Sequence, residues 1–145
     1  MNLIGFAFTK LHAEKVAAMS KKVAKVNDIH ITNVEKEEVP IQMKTDAYRI
    51  SFRFVLTYND KDAKKEAKLG EVIIEGYIIT SLTENEGKEF FKSWKKKEVP
   101  ESFRPAIFSL IMKKCSPKAI DLEDTISLPF HVPIVPQLRF NNSEK

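Results

Sequence analysis

The clearest hydrophobic pattern lies between Tyr48 and Tyr58, where apolar and polar side chains alternate. The stretch reads YRISFRFVLTY, with an apolar residue at every even position. A period of two predicts a β-strand with one face on a core and the other toward water. The charged connection NDKDAKKEAKLG then leads to EVIIEGYIIT, so we expect an antiparallel hairpin. The second strand is apolar on both sides. Gly76 in its middle indicates a bulge or a close approach by another backbone, and a bend is favoured over a ligand site.

Two more strands are predicted upstream, from the segments LIGFAFTKLHAEK and DIHITNVE. Between them, Val16, Met19, Val23 and Val26 recur at a spacing that also suits a helix. We favour two strands with an irregular connection, because β-branched residues and an Asn-Asp turn signal follow closely. The pattern alone leaves both alternatives open for residues 16–26.

Downstream, the period changes to that of helices. Thr83 and Glu86 have the spacing of a capping box, which predicts a helix that begins there and ends before Pro100. A second helix is expected over about Glu101 to Cys115, with Pro105 in its first turn, where a missing amide donor is tolerated. The chain is therefore predicted to be one α+β domain spanning residues 1–145, a four-stranded antiparallel sheet followed by two C-terminal helices packed on one face.

The second predicted helix is apolar around roughly 200° of its circumference, about twice the usual buried stripe. One face is expected to lie on the sheet of its own chain. The remaining residues are predicted to form an oligomer interface: Phe108, Met112 and Cys115. The alternative is that the C-terminal segment of the same chain covers them.

That C-terminal segment, SLPFHVPIVPQLRF, interleaves three prolines with apolar residues from Ser127 to Phe140. Proline fixes φ and pushes the preceding residue into extended geometry, so the segment is predicted to be an extended arm. An apolar arm needs a groove, and the sequence leaves open whether that groove belongs to the same chain or to another.

Composition excludes several classes of protein. No apolar run approaches the roughly 20 residues needed to span a bilayer, and the N-terminal segment lacks the features of a secretory signal. Cys115 is the only cysteine, which excludes an internal disulfide and a cysteine-rich zinc site, and a reducing cytoplasm is the expected location.

The net charge of +4 raises the possibility of a nucleic-acid partner. That hypothesis requires five basic residues on one face of the protein: Lys21, Lys22, Lys25, Arg49 and Arg53. The lysine clusters are expected in loops and on solvent-facing helix surfaces, two of them with acidic residues interleaved, so a solvated surface is the favoured interpretation.

Catalytic motifs are absent from the sequence, and an enzyme is not predicted. The chain has no phosphate-binding glycine motif and no nucleophile elbow. His12, His30 and His131 are scattered, none at metal-ligand spacing from another, although His12 and His30 fall on strands predicted to be adjacent. Cys115 is interpreted as a buried hydrophobic residue. No metal or cofactor is expected.

The order of elements resembles the SecB family of export chaperones. A four-stranded meander leads through the glycine-bearing strand GEVIIEGYII into a helix that begins near VPESFRPAIFSLIMKKC, and AIDLEDTISLP follows. The resemblance implies a homodimer or homotetramer that binds unfolded polypeptides without ATP, in apolar grooves between sheet and helices. The residues proposed for client binding are Phe90, Phe91, Trp94, Phe130, Val132 and Ile134.

Three departures from export SecB proteins speak against docking on the translocase motor SecA. This chain has a net positive charge, Arg49 and Arg53 stand on the exposed face of the predicted central strand, and the tail reads RFNNSEK where an acidic tail is usual. A SecB-like relative that serves other clients, toxin–antitoxin partners among them, fits better. The alternative function is a binding module for one apolar ligand or peptide, with the arm as a lid.

Overall fold

The computed structural model describes residues 1–38, 46–62 and 67–133. It confirms the predicted α+β architecture, a four-stranded antiparallel sheet followed by two helices. The elements are β1 (Asn2–Lys15), β2 (Val23–Glu37), β3 (Asp46–Asp60), β4 (Ala67–Leu82), α1 (Glu84–Trp94) and α2 (Arg104–Thr125). The connection from Val16 to Lys22 is irregular, as favoured over a helix.

The strand order is β1-β4-β3-β2, so the predicted meander is correct only from β2 to β4. β1 crosses to the far edge of the sheet and pairs with β4, where Phe6 lies opposite Ile78. The physical reason lies in β4, which is apolar on both faces and therefore suits a central position between two neighbours. Its open-face residue Ile73 is only 7% exposed.

The alternation in β3 assigns the two faces of the sheet. On the helix face, Ile50, Phe52 and Phe54 are at most 1% exposed and form the centre of the core. On the open face, Arg49 and Arg53 are half-buried. Because directly opposed residues of paired strands point to the same side, this register also assigns the faces of the other strands.

Helix α1 begins at the predicted capping box. The amide of Glu86 donates to the Thr83 hydroxyl over 3.3 Å, and the amide of Thr83 donates to Glu86 Oε1 over 2.9 Å. The bond from the Thr83 amide is the main reason that the pKa of Glu86 lies below its ordinary value. The capping box thereby satisfies two of the backbone donors at the start of the helix.

Helix α2 continues to Thr125, so the predicted end at Cys115 was wrong. Pro117 lies inside the helix, where it removes one backbone hydrogen bond. The helix continues because its next turns still bury Ala119 and Glu123 on the sheet, both at 0% exposure. Pro105 stands in the first turn, as expected.

A row of residues spaced by four turns α2 toward the sheet: Ile107, Ile111, Cys115, Ala119 and Glu123. Cys115 therefore packs within its own chain, whereas Phe108 and Met112 stay half-buried beside this row. The part of the apolar surface of α2 that stays partly exposed therefore includes Met112, which lies beside Asn27 of β2.

Candidate functional site

On the helix face of the sheet, Phe108, Met112 and Ser116 share one stripe of α2, and Asn27, Ile29 and Ile31 share the same face of the edge strand β2. These two sets of side chains are the walls of the space between helix and strand. The β2 residues belong to the helix face because they pair with Leu56, Phe54 and Phe52. The walls touch where Asn27 Nδ2 lies 3.5 Å from Met112 Sδ. We call this space the α2–β2 groove.

The segment after α2, residues 127–133, enters this groove and is called the strap. Ser127 reverses the chain with a positive φ of 58°, and the amide of Leu128 donates to the Glu123 carbonyl over 2.8 Å. Leu128 is 4% exposed and packs on the backbone of β4 at Gly70. Lys25 Nζ on β2 donates to the carbonyl of Phe130 over 2.8 Å. The strap therefore doubles back along α2 on the side of β2.

A buried chain of hydrogen bonds fastens the strap to the core. The hydroxyl of Tyr58 on β3 donates to Glu123 Oε2, and Glu123 Oε1 lies 2.7 Å from His131 Nδ1. The other ring nitrogen of His131 lies 3.1 Å from the hydroxyl of Ser116. The side chains of Glu123 and His131 are 0% and 3% exposed. The edge of the imidazole packs against Phe54, with ring centroids 6.2 Å apart.

A fully buried carboxylate is costly unless neighbouring groups compensate it. Here Glu123 accepts hydrogen bonds from Tyr58 and His131 on its two oxygens. Burial, followed by the bond to Glu123, raises the pKa of Tyr58 far above its ordinary value, so the phenol keeps its proton and donates. The strap supplies one of the two groups that make the buried charge tolerable.

The order Ser116, His131, Glu123 is also that of a nucleophile, a base and an orienting carboxylate. Ser116 lies inside α2, where the surrounding amides are bonded along the helix, and Pro117 after it has no amide to offer. The helix around Ser116 therefore leaves no pair of free backbone donors for an oxyanion. What the arrangement does in this fold is hold the strap in place. Burial raises the pKa of the adjacent Cys115 thiol to about 12, so it too is a poor nucleophile.

The structure distributes the six proposed client-binding residues over different places. Phe90 and Trp94 lie in the core at 0% and 9% exposure. Phe130 and Val132 belong to the strap, with Phe130 38% exposed, and Ile134 lies outside the described residues.

Phe91 lines a separate cleft of about 360 Å³ next to the start of β3. Its ring meets the edge of Tyr48, with centroids 5.2 Å apart. The other lining residues are mostly charged, with three lysines from α1 and the segment after it. The cleft has a small apolar floor and a rim of mixed charge, because Asp46 and Glu84 stand beside the lysines.

The five basic residues of the nucleic-acid hypothesis do not share a face. Lys25 points to the helix face, where it binds the strap, whereas Arg49 and Arg53 lie on the open face. Arg49 forms a two-point bond with Glu37, at 2.9 and 3.1 Å, and Arg53 lies 3.5 Å from Glu75. Because these arginines already have acidic partners, the structure offers no continuous basic surface along β3.

The expectation that His12 and His30 lie on adjacent strands was wrong, because β1 and β2 form opposite edges of the sheet. His12 instead stands 3.4 Å from Glu71 and 3.7 Å from Glu14. These three groups are close enough to share a cation. Lys68 donates to the same Glu71 carboxylate and is the main reason that its pKa is lowered. The ammonium group of Lys68 therefore already compensates the charge of Glu71 in this surface cluster.

Sequence reasoning missed the polar chain beneath the strap. From the sequence, Glu123 was assigned no role and His131 was treated as one of three scattered histidines. In the structure Glu123 is buried and His131 bonds two side chains. Glu123 is separated from Tyr58 by 65 positions, so no local pattern signals their contact.

A search against protein-family models and a search of curated proteins found no match. Among solved structures, the fold is similar to the Mycobacterium tuberculosis Rv1957 SecB-like chaperone in complex with a ChAD peptide from the Rv1956 HigA1 antitoxin. The identity is 10% and the TM-score is 0.50, over 96% of this chain and 92% of that one. The likeness supports the fold similarity that the sequence implied. No helix in the described ranges has the length and apolar character to cross a membrane.

Proposed function

We propose that this protein is a SecB-like, ATP-independent chaperone that holds unfolded or partly folded polypeptides in the α2–β2 groove. The observation that carries the proposal is the strap. A proline-containing stretch of polypeptide already lies in the groove: Lys25 of β2 donates to the backbone of Phe130, and Ser116 of α2 lies beside the ring of His131. A groove that accepts one segment of polypeptide offers the same contacts to another.

The fold similarity supports the same proposal, because the similar chaperone was solved with a peptide. A reducing cytoplasm is part of the proposal, since the single cysteine is buried and unpaired. Docking on SecA is not part of the proposal, because the basic residues Arg49 and Arg53 lie on the open face of the sheet.

The purified protein is expected to suppress aggregation of several chemically denatured clients at near-stoichiometric ratios without ATP. Light scattering of the diluted client is the measurement. Met112→Gln makes one wall of the groove polar at similar length and helix propensity, and should weaken suppression several-fold because apolar contact area is lost. Lys113→Gln, on the exposed neighbouring position, is the matched control and should act as wild type.

Two results would count against this proposal. If no client among several is held, the chaperone function is wrong. If clients are held equally well by the Met112→Gln and Lys113→Gln variants, binding takes place elsewhere, and the cleft beside Phe91 becomes the next surface to test.

A second candidate function is a module that binds one apolar ligand or peptide, with the strap as its lid. The buried fastening of His131 favours it, because a broad chaperone has no evident need for so specific a contact at the end of its groove. Native mass spectrometry would show a single copurifying ligand under this alternative, and a mixture of substoichiometric peptides, or none, under the first.

Self-association into dimers or tetramers remains a prediction. Four of the seven exposed large apolar residues in the described ranges lie at the edge strand β1, with Leu3, Ile4 and Leu11 on the strand and Met1 directly before it. An edge strand with free backbone groups and apolar side chains is a usual site of pairing between chains. Multi-angle light scattering should give a mass of two or four subunits, and a monomer at micromolar concentration would contradict the prediction.

A further inference from the structure

The strap is bonded to one buried polar group, the carboxylate of Glu123, although the surface around that group is apolar. We infer that the α2–β2 groove takes up a segment of a partner polypeptide in exchange for the strap, and that Glu123 selects segments in which a basic side chain lies between apolar residues. This inference rests on the proposed function and names the class of client segment.

The first step of the argument is the geometry of the strap itself. Its central residues read Phe130, His131, Val132, an apolar–basic–apolar triplet. His131 points inward, at 3% side-chain exposure, while Phe130 is 38% exposed. The residue that the groove recognises most specifically is therefore the basic one, and its neighbours contribute apolar area.

The second step concerns what happens when the strap leaves. Glu123 would keep its bond from Tyr58 but lose the one from His131. The helix face around it is apolar, with Phe54 and Leu56 at most 1% exposed. A carboxylate left there without its partner opposes displacement by a purely apolar segment. A segment that brings histidine, lysine or arginine to the same position restores the pair.

The third step is competition within the chain. The strap is covalently attached a few residues beyond Glu123, so its effective concentration at the groove is high, on the order of millimolar. A partner segment must compete with the strap for the groove. The bond of His131 to Glu123 contributes to the free energy that is needed to displace the strap. Weakening this bond should therefore make the groove more accessible without changing its walls.

The experiment uses the full chain and a fluorescent peptide with the strap sequence SLPFHVP, followed by anisotropy. His131→Leu is expected to bind this peptide about tenfold or more tightly than wild type, because its own strap no longer pairs with Glu123. His30→Leu is the matched control, since His30 is exposed on the open face, and it should bind as wild type does. Circular dichroism checks folding, and His131→Gln replaces His131→Leu if the latter does not fold.

Selectivity is tested on the same His131 variant with two further peptides, carrying leucine or lysine in place of the histidine. The histidine and lysine peptides should bind about tenfold more tightly than the leucine peptide. Adding Glu123→Gln should abolish this preference while binding of the leucine peptide persists.

Equal affinity of wild type and the His131 variant, absence of peptide binding to either, or a preference that survives Glu123→Gln would each overturn the inference. The proposed function is judged separately by the aggregation assay. If the protein holds clients in the aggregation assay but shows no preference among these peptides, the proposed chaperone function stands and only the role of Glu123 is wrong.

Discussion

Replacing Glu123 with leucine is expected to lower the free energy of unfolding by about 2–4 kcal/mol, because two buried donors lose their acceptor and each unsatisfied group costs about 1–3 kcal/mol. Leucine fills most of the space of the glutamate, so the loss comes from the partners left behind. The hydroxyl of Tyr58, on a side chain buried at 0% exposure, loses its acceptor, and His131 loses its carboxylate. Urea unfolding, with the midpoint and slope both fitted, measures the change.

Two comparison variants show whether the loss comes from the polar chain. Asp121→Leu removes an exposed acidic residue from the same helix and should change stability by no more than about 0.5 kcal/mol. Adding Tyr58→Phe to Glu123→Leu should recover part of the loss, because removing both partners of a buried hydrogen bond costs less than removing one. A Glu123→Leu variant as stable as wild type would mean that the chain of bonds contributes nothing net.

Replacing Gly76 with alanine is expected to cost about 3 kcal/mol or more, at the upper end of what overpacking usually costs. A Cβ at this position would stand 2.3 Å from the carbonyl oxygen of Ala7 on β1 and 3.2 Å from the Cα of Phe8. Both are backbone positions of the neighbouring strand, so β1 must move away from β4. Urea unfolding gives the magnitude, and hydrogen exchange of the β1 amides should show that this strand is the part that loosens.

Gly5→Ala is the matched control, because it lies in the same pair of strands. A Cβ at Gly5 would meet only side-chain atoms of Ile79 at 3.8 Å, an ordinary contact. Its stability should stay within about 1 kcal/mol of wild type, with a small gain expected from the lower entropy of the unfolded chain. If both variants lose the same stability, the close approach of β1 at Gly76 is not the cause.

The sequence predicted those parts of the fold that depend on neighbouring residues. The alternation from Tyr48 to Tyr58 identified β3 and assigned its buried face, and Thr83 with Glu86 located the start of α1. Gly76 was expected to mark a bulge or a close approach by another backbone, and β1 does approach it closely, with a register shift between Phe8 and Lys10. The sequence did not show which strand approaches, because that contact joins distant parts of the chain.

The candidate site was predicted only in part. An apolar arm in need of a groove was expected from Ser127 to Phe140. Residues 127–133 contact β2 and α2 of their own chain, and the remainder of the arm lies outside the described residues. The end of α2 was missed because a proline inside a helix is tolerated only when tertiary packing compensates for the lost bond, and that packing is invisible in the sequence.

By itself, then, the sequence determined the strands, their buried faces and the helix start, because periodicity and capping act over a few residues. Only the tertiary structure decided that β1 lies beside β4 and that Glu123 enters the core. A carboxylate is tolerated there only when Tyr58 and His131, brought from distant parts of the chain, are both in place to bond it.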